Sequence, residues 1–276
     1  MSCGLSLAVG SNPRANAILA FPVLLALAFP VLAQSPAPVP SIPALTVDQV
    51  VRKLEASNQA RNNALHHFES RRTYALHYRG FPNNHDAEMV VTLSYQSPST
   101  KEFKVVSQSG SKFIIDHVFK RMIESEREAA QDQSRSALSS KNYEFSLLGT
   151  DHTPEGNYYI LKVAPRTSNK FLYRGKVWVD AADFAVAKIE AEPAQNPSLF
   201  IKHTDVHHRY KKVDNFWLPA ENRSTSYLRI GGHADLIIEY DQYTITAADP
   251  ISPVPTTAND TTSPAHDGAR KTGSAE

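Results

Sequence analysis

The stretch Phe171–Glu192, FLYRGKVWVDAADFAVAKIEAE, predicts a β-hairpin whose two arms alternate apolar and polar side chains. The apolar residues of both arms fall on one face, and they are Tyr173, Val177, Val179, Ala187, Ile189 and Ala191. Between the arms, Asp180 to Asp183 form a turn rich in side chains that hydrogen-bond locally. The hairpin therefore belongs to an antiparallel sheet with one solvated face and one apolar face, and the apolar face requires a cover.

The same alternation recurs along the chain and predicts about ten strands. They fall near residues 71–79, 87–96, 101–108, 142–150, 157–164, 171–180, 185–192, 202–213, 216–227 and 233–246. After residue 142, no helix between consecutive strands is long enough for a parallel crossover, so we expect antiparallel pairing there.

Two helices are predicted beside these strands. Thr46 and Gln49 match a capping box, and apolar residues follow at helical spacing, so the first helix should run from about residue 47 to 68. The second helix carries an apolar stripe, formed by Ile114, Ile115, Val118, Phe119 and Met122. A β-sandwich would leave this stripe without a packing partner. Closure of the ten strands into a barrel is a further possibility, but we expect the sheet to curl round the helices, an α+β fold in which the two helices cover the concave face of a curved antiparallel sheet of about ten strands.

The amino-terminal residues predict export. Arg14 is followed by an apolar run from Ala17 to Leu32, and small residues stand at the positions that a signal peptidase reads. Residues 1–33 are accordingly interpreted as a signal peptide that is cleaved after Ala33.

A membrane anchor is the alternative interpretation of this run. The run is shorter than the roughly 20 residues that span a bilayer, and Pro22 and Pro30 interrupt it. The only cysteine, Cys3, is not at the cleavage point where a lipoprotein signal would need it. The mature protein is therefore expected to be soluble, unlipidated and without thiols.

The rest of the chain divides into three parts. Residues 34–45 contain prolines at positions 36, 38, 40 and 43 and predict an extended spacer. Residues 46–248 are long enough to bury a core without disulfides and predict a single domain. Residues 249–276 are rich in Thr, Ser and Pro with few large apolar side chains, so we expect a disordered tail.

Charge and motifs exclude several functional classes. The chain has 29 basic and 28 acidic residues, and removal of Arg14 with the signal leaves 28 of each. A nucleic-acid-binding protein would gather a basic excess, which is not present. The sequence also has no phosphate-binding loop, H-E-x-x-H, G-x-S-x-G or dinucleotide glycine motif, so no cofactor is expected.

His203, Asp205 and His207 are the most enzyme-like group of residues. Their spacing of two would project all three from one face of a strand, where they could bind zinc. The same spacing also describes an exposed strand face that holds no metal. Glu124 and Glu126, with Glu128, are interpreted as a solvated helix face rather than as acid–base catalysts.

An apolar set remains as the candidate ligand site. Its members on the second helix are Val118, Phe119 and Met122, and those on strands are Val91, Leu93, Val177, Val179, Ile189, Leu236 and Ile238. A stripe at helical spacing is usually plain core, and a lined cavity is the alternative.

Three segments carry a resemblance to a known family: Phe113–Ala130 (FIIDHVFKRMIESEREAA), the hairpin quoted above, and Val206–Tyr243, which contains FWLPAENR at Phe216–Arg223. Taken in this order they cover most of residues 46–248 and resemble the periplasmic outer-membrane lipoprotein-carrier (LolA-like) and lipoprotein-sorting superfamily. The resemblance implies a curved, half-open β-barrel with helices over its mouth. It also implies a periplasmic binding protein, not an enzyme, that holds acyl chains or a lipidated partner in its cavity.

The resemblance also implies an arginine that couples a helical lid to the barrel. Arg71, Arg72, Arg79 and Arg174 are all candidates for it. Phe119 and Met122 are expected to fill the cavity when it holds no cargo, so that a cargo must displace them. Methionine suits this role because its side chain adapts to different surfaces.

Two alternative functions stay open: an envelope-stress sensor domain that binds a regulatory membrane protein, and a metal-dependent hydrolase at the His203 face. The sequence leaves open the cargo, the partner, the direction of transfer, the oligomeric state and whether the cavity is filled.

Overall fold

The structure is a computed structural model that describes residues 42–196 and 198–250. The predicted signal peptide at residues 1–33, its cleavage after Ala33, the first part of the proline-rich spacer and nearly all of the predicted tail lie outside the described residues.

Ten strands form one antiparallel sheet, as the alternation predicted. They are β1 Leu65–Arg79, β2 His85–Gln96, β3 Thr100–Gly110, β4 Tyr143–Thr153, β5 Gly156–Pro165, β6 Tyr173–Asp180, β7 Val186–Pro193, β8 Ile201–Val213, β9 Phe216–Leu228 and β10 His233–Ala248. Their order in space is β3-β2-β1-β10-β9-β8-β7-β6-β5-β4. The two edge strands, β3 and β4, do not pair with each other, so the sheet is a curved half-open barrel and the predicted α+β fold is confirmed.

The first helix, α1, spans Val47–Ala64 and begins at the predicted capping box. The side-chain hydroxyl of Thr46 accepts a hydrogen bond from the N–H of Gln49, and the side-chain oxygen of Gln49 accepts one from the N–H of Thr46. The helix ends four residues before the predicted end, because Leu65–Arg79 already follow the period of a strand. Burial in this part alternates at Phe68, Ser70 and Arg72, which only an extended chain allows.

The second helix consists of three consecutive segments: Lys112–Ile114 in α conformation, Ile115–Phe119 in π conformation and Lys120–Gln131 in α conformation. A short 3-10 turn at Gln133–Arg135 follows it. The π-helical turn inserts a residue into the helical repeat and brings Phe119 and Ile123 into the core, while Val118 and Met122 are half-buried. Among the described residues, no helix is both long and apolar enough to cross a membrane.

The two helices cover different halves of the concave face. Val50, Val51 and Leu54 of α1 pack on strands β4 to β7. The second helix packs its buried residues on strands β1, β2 and β10. A smaller cluster around Phe68 and Leu93 lies where the two halves meet. The core is thus divided into two helix-covered halves.

The hairpin that opened the sequence analysis is present with one difference. Val177 pairs with Ile189, but a bulge beyond Trp178 makes Val179 pair with Val186. The bulge turns Ala187 to the convex face, where it packs with Trp178, and places Val186 on the concave face instead. The predicted apolar face is therefore correct for Ile189 and wrong for Ala187.

The last residues of the predicted spacer contact the domain. Ile42 and Leu45 pack against the cluster under α1, and the hydroxyl of Tyr159 donates a hydrogen bond of 2.8 Å to the carbonyl of Pro43. Residues 42–45 are therefore part of the folded domain.

Candidate ligand-binding site

The ten apolar residues predicted to line a cavity divide among three packed clusters. The cluster under the second helix contains Val91, Phe119 and Ile238, with Val118, Met122 and Leu236 at its margin. The cluster under α1 contains Val177, Val179 and Ile189, and Leu93 belongs to the cluster between the two halves. Phe119 has no exposed surface and lies 5.8 Å from Tyr74, centroid to centroid. Side chains of the second helix thus fill the space beneath it.

An open cavity of about 610 Å³ lies elsewhere, between the second half of α1, residues 136–141 and strands β6 to β8. Of the predicted residues, only Ile189 lines it. The apolar part of its wall is formed by Leu138, Val186 and Ile189, and the tyrosines around it are Tyr143, Tyr173 and Tyr210. Because Val186 and Ile189 also belong to the core under α1, the cavity opens directly onto that half of the apolar interior.

The charged groups that line this cavity are Glu55, Arg61 and Lys141, and none of them forms an ion pair among the described residues. The Nη1 atom of Arg61 donates a hydrogen bond of 3.3 Å to the carbonyl of Trp217. Among the described residues, no carboxylate lies within ion-pair distance of it, and burial lowers its pKa below the usual value. A neighbouring groove of about 570 Å³ shares Gln59, Asn62 and Gln133 with the cavity and has mostly polar walls.

The second helix is attached to the sheet by a buried ion-pair network. Arg72 on β1 donates to Glu126 at 2.6 Å, and Lys101 on β3 donates to the other oxygen of the same carboxylate at 2.7 Å. The side chain of Arg72 is 4% exposed and that of Glu126 is 29% exposed. The guanidinium of Arg72 also lies over the rings of Phe103 and Tyr240.

These contacts determine the charge states in the network. Burial opposes the charge of Glu126, but attraction to Arg72 and Lys101 outweighs it and lowers the pKa of Glu126 to about 2. Burial likewise opposes the charge of Arg72, and the carboxylate of Glu126 outweighs it and raises the pKa of Arg72. Both groups are therefore ionised at neutral pH.

Of the four candidate arginines, the structure places Arg72 against the second helix. Arg79 pairs with Asp86 at the end of β1, and Arg174 is exposed. The strand period could have singled out Arg72, because it shares the concave face with Tyr74. The predicted solvated helix face is correct for Glu124 and Glu128, which lie near the surface. It is wrong for Glu126, which faces the sheet.

A polar pair interrupts the concave face between the two halves. One register row crosses the sheet from Tyr74 through Ile238, Asn222 and His208 to Ile189. In the part of the chain that the structure describes, the buried Nε2 of His208 and Oδ1 of Asn222 have no hydrogen-bond partner. Burial and the neighbouring His207 lower the pKa of His208 to about 4, so its ring is neutral at pH 7.

The predicted metal-binding face is only partly assembled. His203 Nε2 lies 2.8 Å from an oxygen of Asp205, whereas Nδ1 of His207 lies 4.0 Å from Glu190. Within residues 42–196 and 198–250, no group of three or more His, Cys, Asp or Glu side chains is arranged to hold a metal ion.

No protein-family model matches the chain, and no curated protein matches its sequence. Solved structures do match it. A DUF1329 family protein from Desulfovibrio piger is 12% identical over 73% of this chain and 94% of that one, with a TM-score of 0.38. An outer-membrane lipoprotein-sorting protein domain from Vibrio parahaemolyticus is 10% identical over 71% and 92%, with a TM-score of 0.38.

A LolA superfamily protein from Nitrosomonas europaea is 12% identical over 75% of this chain and 96% of that one, with a TM-score of 0.32. A complex of MucA and MucB from Pseudomonas aeruginosa matches at 10% identity over 72% and 100%, with a TM-score of 0.25. The solved structures similar to this chain thus include LolA-superfamily and lipoprotein-sorting proteins.

Proposed function

We propose that this chain is a periplasmic binding protein that holds acyl chains or a lipidated partner on the concave face of its half-open barrel, and that it is not an enzyme. The observation that carries this proposal is the cavity of about 610 Å³, which opens onto the apolar half under α1. Its volume lies within the range of about 300–1,000 Å³ that is typical of small-molecule sites.

The second helix acts as a displaceable cover over the other half of the face. Each buried methylene of a cargo contributes about 0.8 kcal/mol, so a 16-carbon chain gains roughly 12 kcal/mol before ordering costs. A cargo that enters beneath the second helix must displace Phe119 and Met122 rather than water, which lowers its net affinity. The network of Arg72, Glu126 and Lys101 opposes this displacement, because moving Glu126 away leaves Arg72 buried without its partner.

Cavity filling tests the proposal. The mature protein is stripped of bound lipid, and retention of a fluorescent 16-carbon acyl probe is measured for Leu138→Trp, which fills the cavity from residues 136–141. Lys162→Trp places the same side chain on the exposed face of β5 and serves as the control. We expect weaker retention for Leu138→Trp alone. Equal retention by both variants and the unaltered protein would exclude the cavity as the acyl site.

The cover is tested separately with Phe119→Ala and Met122→Ala combined. We expect altered retention of the acyl probe while circular dichroism of the β-sheet stays close to that of the unaltered protein. Unchanged retention would rule out the second helix as a competitor of the cargo.

A second candidate function is docking on a regulatory membrane protein, favoured by exposed apolar side chains at one end of the sheet. Phe81 is 77% exposed, Leu199 92%, Phe200 67% and Ile230 62%. Arg229 donates hydrogen bonds to the carbonyls of Leu199 and Phe200 and joins two of these turns. Exposed apolar clusters of this kind mark interaction sites.

A photo-crosslinker at Phe200 tests the docking function in intact envelopes. The control position is Phe113, which is also exposed, at 69%, but begins the second helix. Docking predicts that one membrane protein is recovered from position 200 and not from position 113. Recovery of the same products from both positions would remove this candidate.

A further inference from the structure

We propose that the cavity under α1 is selective for an oxyanion at the end of a hydrocarbon chain, with Arg61 as its counter-charge and the hydroxyls of Tyr173 and Tyr210 as further donors. This proposal rests on the proposed function for the apolar part of the ligand. It adds the chemistry of the polar part, a carboxylate or a phosphate.

The first argument is the unsatisfied capacity of Arg61. A guanidinium has five N–H donors, and within the part of the chain that the structure describes, that of Arg61 makes a single hydrogen bond, to the carbonyl of Trp217. A partly buried cation without a carboxylate is unfavourable, so an anion that reaches it from the cavity gains a charge-assisted contact. Arg72 shows the opposite arrangement, because Glu126 already neutralises it.

The second argument is a pair of hydroxyl groups on the same wall. Tyr173 and Tyr210 line the cavity, and no hydrogen bond from either hydroxyl is present among residues 42–196 and 198–250. Burial raises the pKa of Tyr173 and of Tyr210, so both remain neutral donors at physiological pH. The hydroxyl of Tyr143 accepts a hydrogen bond from the backbone N–H of Tyr173 at 3.2 Å and still has its own proton to donate.

The third argument is the state of the competing charges. Glu55 also lines the cavity, but one oxygen of its carboxylate accepts the N–H of Ser140 at 2.6 Å and the hydroxyl of Ser140 at 2.9 Å. Lys141 adds a second cation to the lining. The acidic group is thus engaged with residue 140, while Arg61 has no carboxylate partner.

The fourth argument is the apolar part of the same cavity lining. Leu138, Val186 and Ile189 supply a surface for hydrocarbon but no hydrogen-bonding side chain. A free inorganic anion would leave this surface without contacts, and a neutral lipid would leave Arg61 uncompensated. An anionic amphiphile satisfies both parts of the wall.

The test compares three 16-carbon probes with one chain and different ends: hexadecanoate, hexadecyl phosphate and hexadecan-1-ol. Binding to the full mature protein is measured by displacement of a fluorescent acyl probe, with inorganic phosphate as the chain-free arm. A hydrogen bond to a charged group is worth enough to give each anionic probe a preference over the alcohol of roughly 10-fold to 100-fold. The two anionic probes distinguish a carboxylate from a phosphate ligand, and inorganic phosphate should not compete.

Arg61→Gln should reduce the affinity ratio of the anionic probes over the alcohol to near one, without weakening binding of the alcohol. Arg52→Gln, an exposed position on the same helix, should leave the preference unchanged. Tyr210→Phe keeps the ring and should lower the preference severalfold even if the Arg61 variant folds poorly.

Three results would overturn the inference. Equal binding of acid and alcohol by the unaltered protein would leave the proposed function intact and remove the anion site. If Arg61→Gln still prefers the anionic probes over the alcohol, the anion site is likewise removed and the proposed function is left intact. Failure of all three chain-bearing probes to bind would remove the proposed function together with the anion site.

Discussion

The arginines Arg72 and Arg61 occupy the two halves of the concave face and meet opposite surroundings. Arg72 lies under the second helix, where Glu126 binds it and aromatic rings cover it. Arg61 lies on α1 beside an open cavity, where a backbone carbonyl is its hydrogen-bond partner. The charge of Arg72 is therefore neutralised by a protein carboxylate, whereas no carboxylate of the described residues lies within ion-pair distance of Arg61. Under the proposed function, a ligand enters beside Arg61, and the second helix must move for more of it to bind.

The largest expected effect concerns the packing of the closed half. Phe119→Ala removes a fully buried ring and should lower the free energy of unfolding by about 3–5 kcal/mol. Met122→Ala, at a half-buried position on the same helix, should cost less. Urea denaturation followed by circular dichroism measures both. Equal costs for the two variants would show that Phe119 is not a core residue of this half.

Removal of the Glu126 charge tests whether Arg72 depends on a carboxylate partner for stability. Glu126→Gln leaves Arg72 without its main partner and should cost about 3 kcal/mol of unfolding free energy. The combined change Arg72→Met with Glu126→Met removes both charges and should recover most of this loss. If Glu126→Gln unfolds at the same urea concentration as the unaltered protein, the ion pair does not hold the helix.

Acidification should weaken the fold in two successive pH ranges. The folded-state pKa of His208, about 4, lies below its unfolded value of about 6.5, so the stability from the neutral ring is lost as pH falls between these values. The pKa of Glu126 is about 2, below its unfolded value, so its contribution is lost from about pH 4.5 downwards.

His208→Gln separates the two ranges. This variant should lose less unfolding free energy than the unaltered protein between pH 6.5 and 4, and the same amount at lower pH. Urea midpoints at a series of pH values measure both. A steep loss in the upper range that survives the substitution would assign it to other groups.

The smallest expected effect is on Arg61 in the ligand-free protein. Arg61→Met removes a partly buried cation that has no carboxylate partner among residues 42–196 and 198–250, so the free energy of unfolding should change by about 1 kcal/mol or less. Thermal unfolding of the lipid-stripped protein provides the measurement. A loss as large as that of Glu126→Gln would mean that Arg61 is structural and that the two halves do not differ in this way.

Local patterns predicted much of the fold. The capping box at Thr46 gave the start of α1, and strand alternation gave all ten strands with ends within a few residues, except at β1. The prediction of where β1 starts was wrong because the polar residues just after Leu65 (His66, His67 and Glu69) fit a solvated helix as well as a strand. The bulge beyond Trp178 was also missed, because inserting one residue reverses a face without changing the local composition.

The candidate site was much less predictable from sequence. Of the ten predicted cavity residues, only Ile189 lines the open cavity, since buried apolar residues look the same whether a neighbour or a void faces them. Arg61 and Tyr210 are separated by much of the chain, and no spacing rule connects them. The sequence predicts a surface position for Glu126, because its helix is rich in charges on several sides.

The sequence by itself determined the period of each element and hence the antiparallel sheet, its apolar face and the two amphipathic helices, because these depend on near neighbours along the chain. Only the tertiary structure decided that both halves are packed and that a cavity stays open beside the second half of α1. That outcome depends on how the volumes and charges of distant segments fit together. Phe119 fills the space under the second helix, and Glu126 neutralises Arg72. In the described part of the chain, no carboxylate pairs with Arg61, and the cavity beside it stays open.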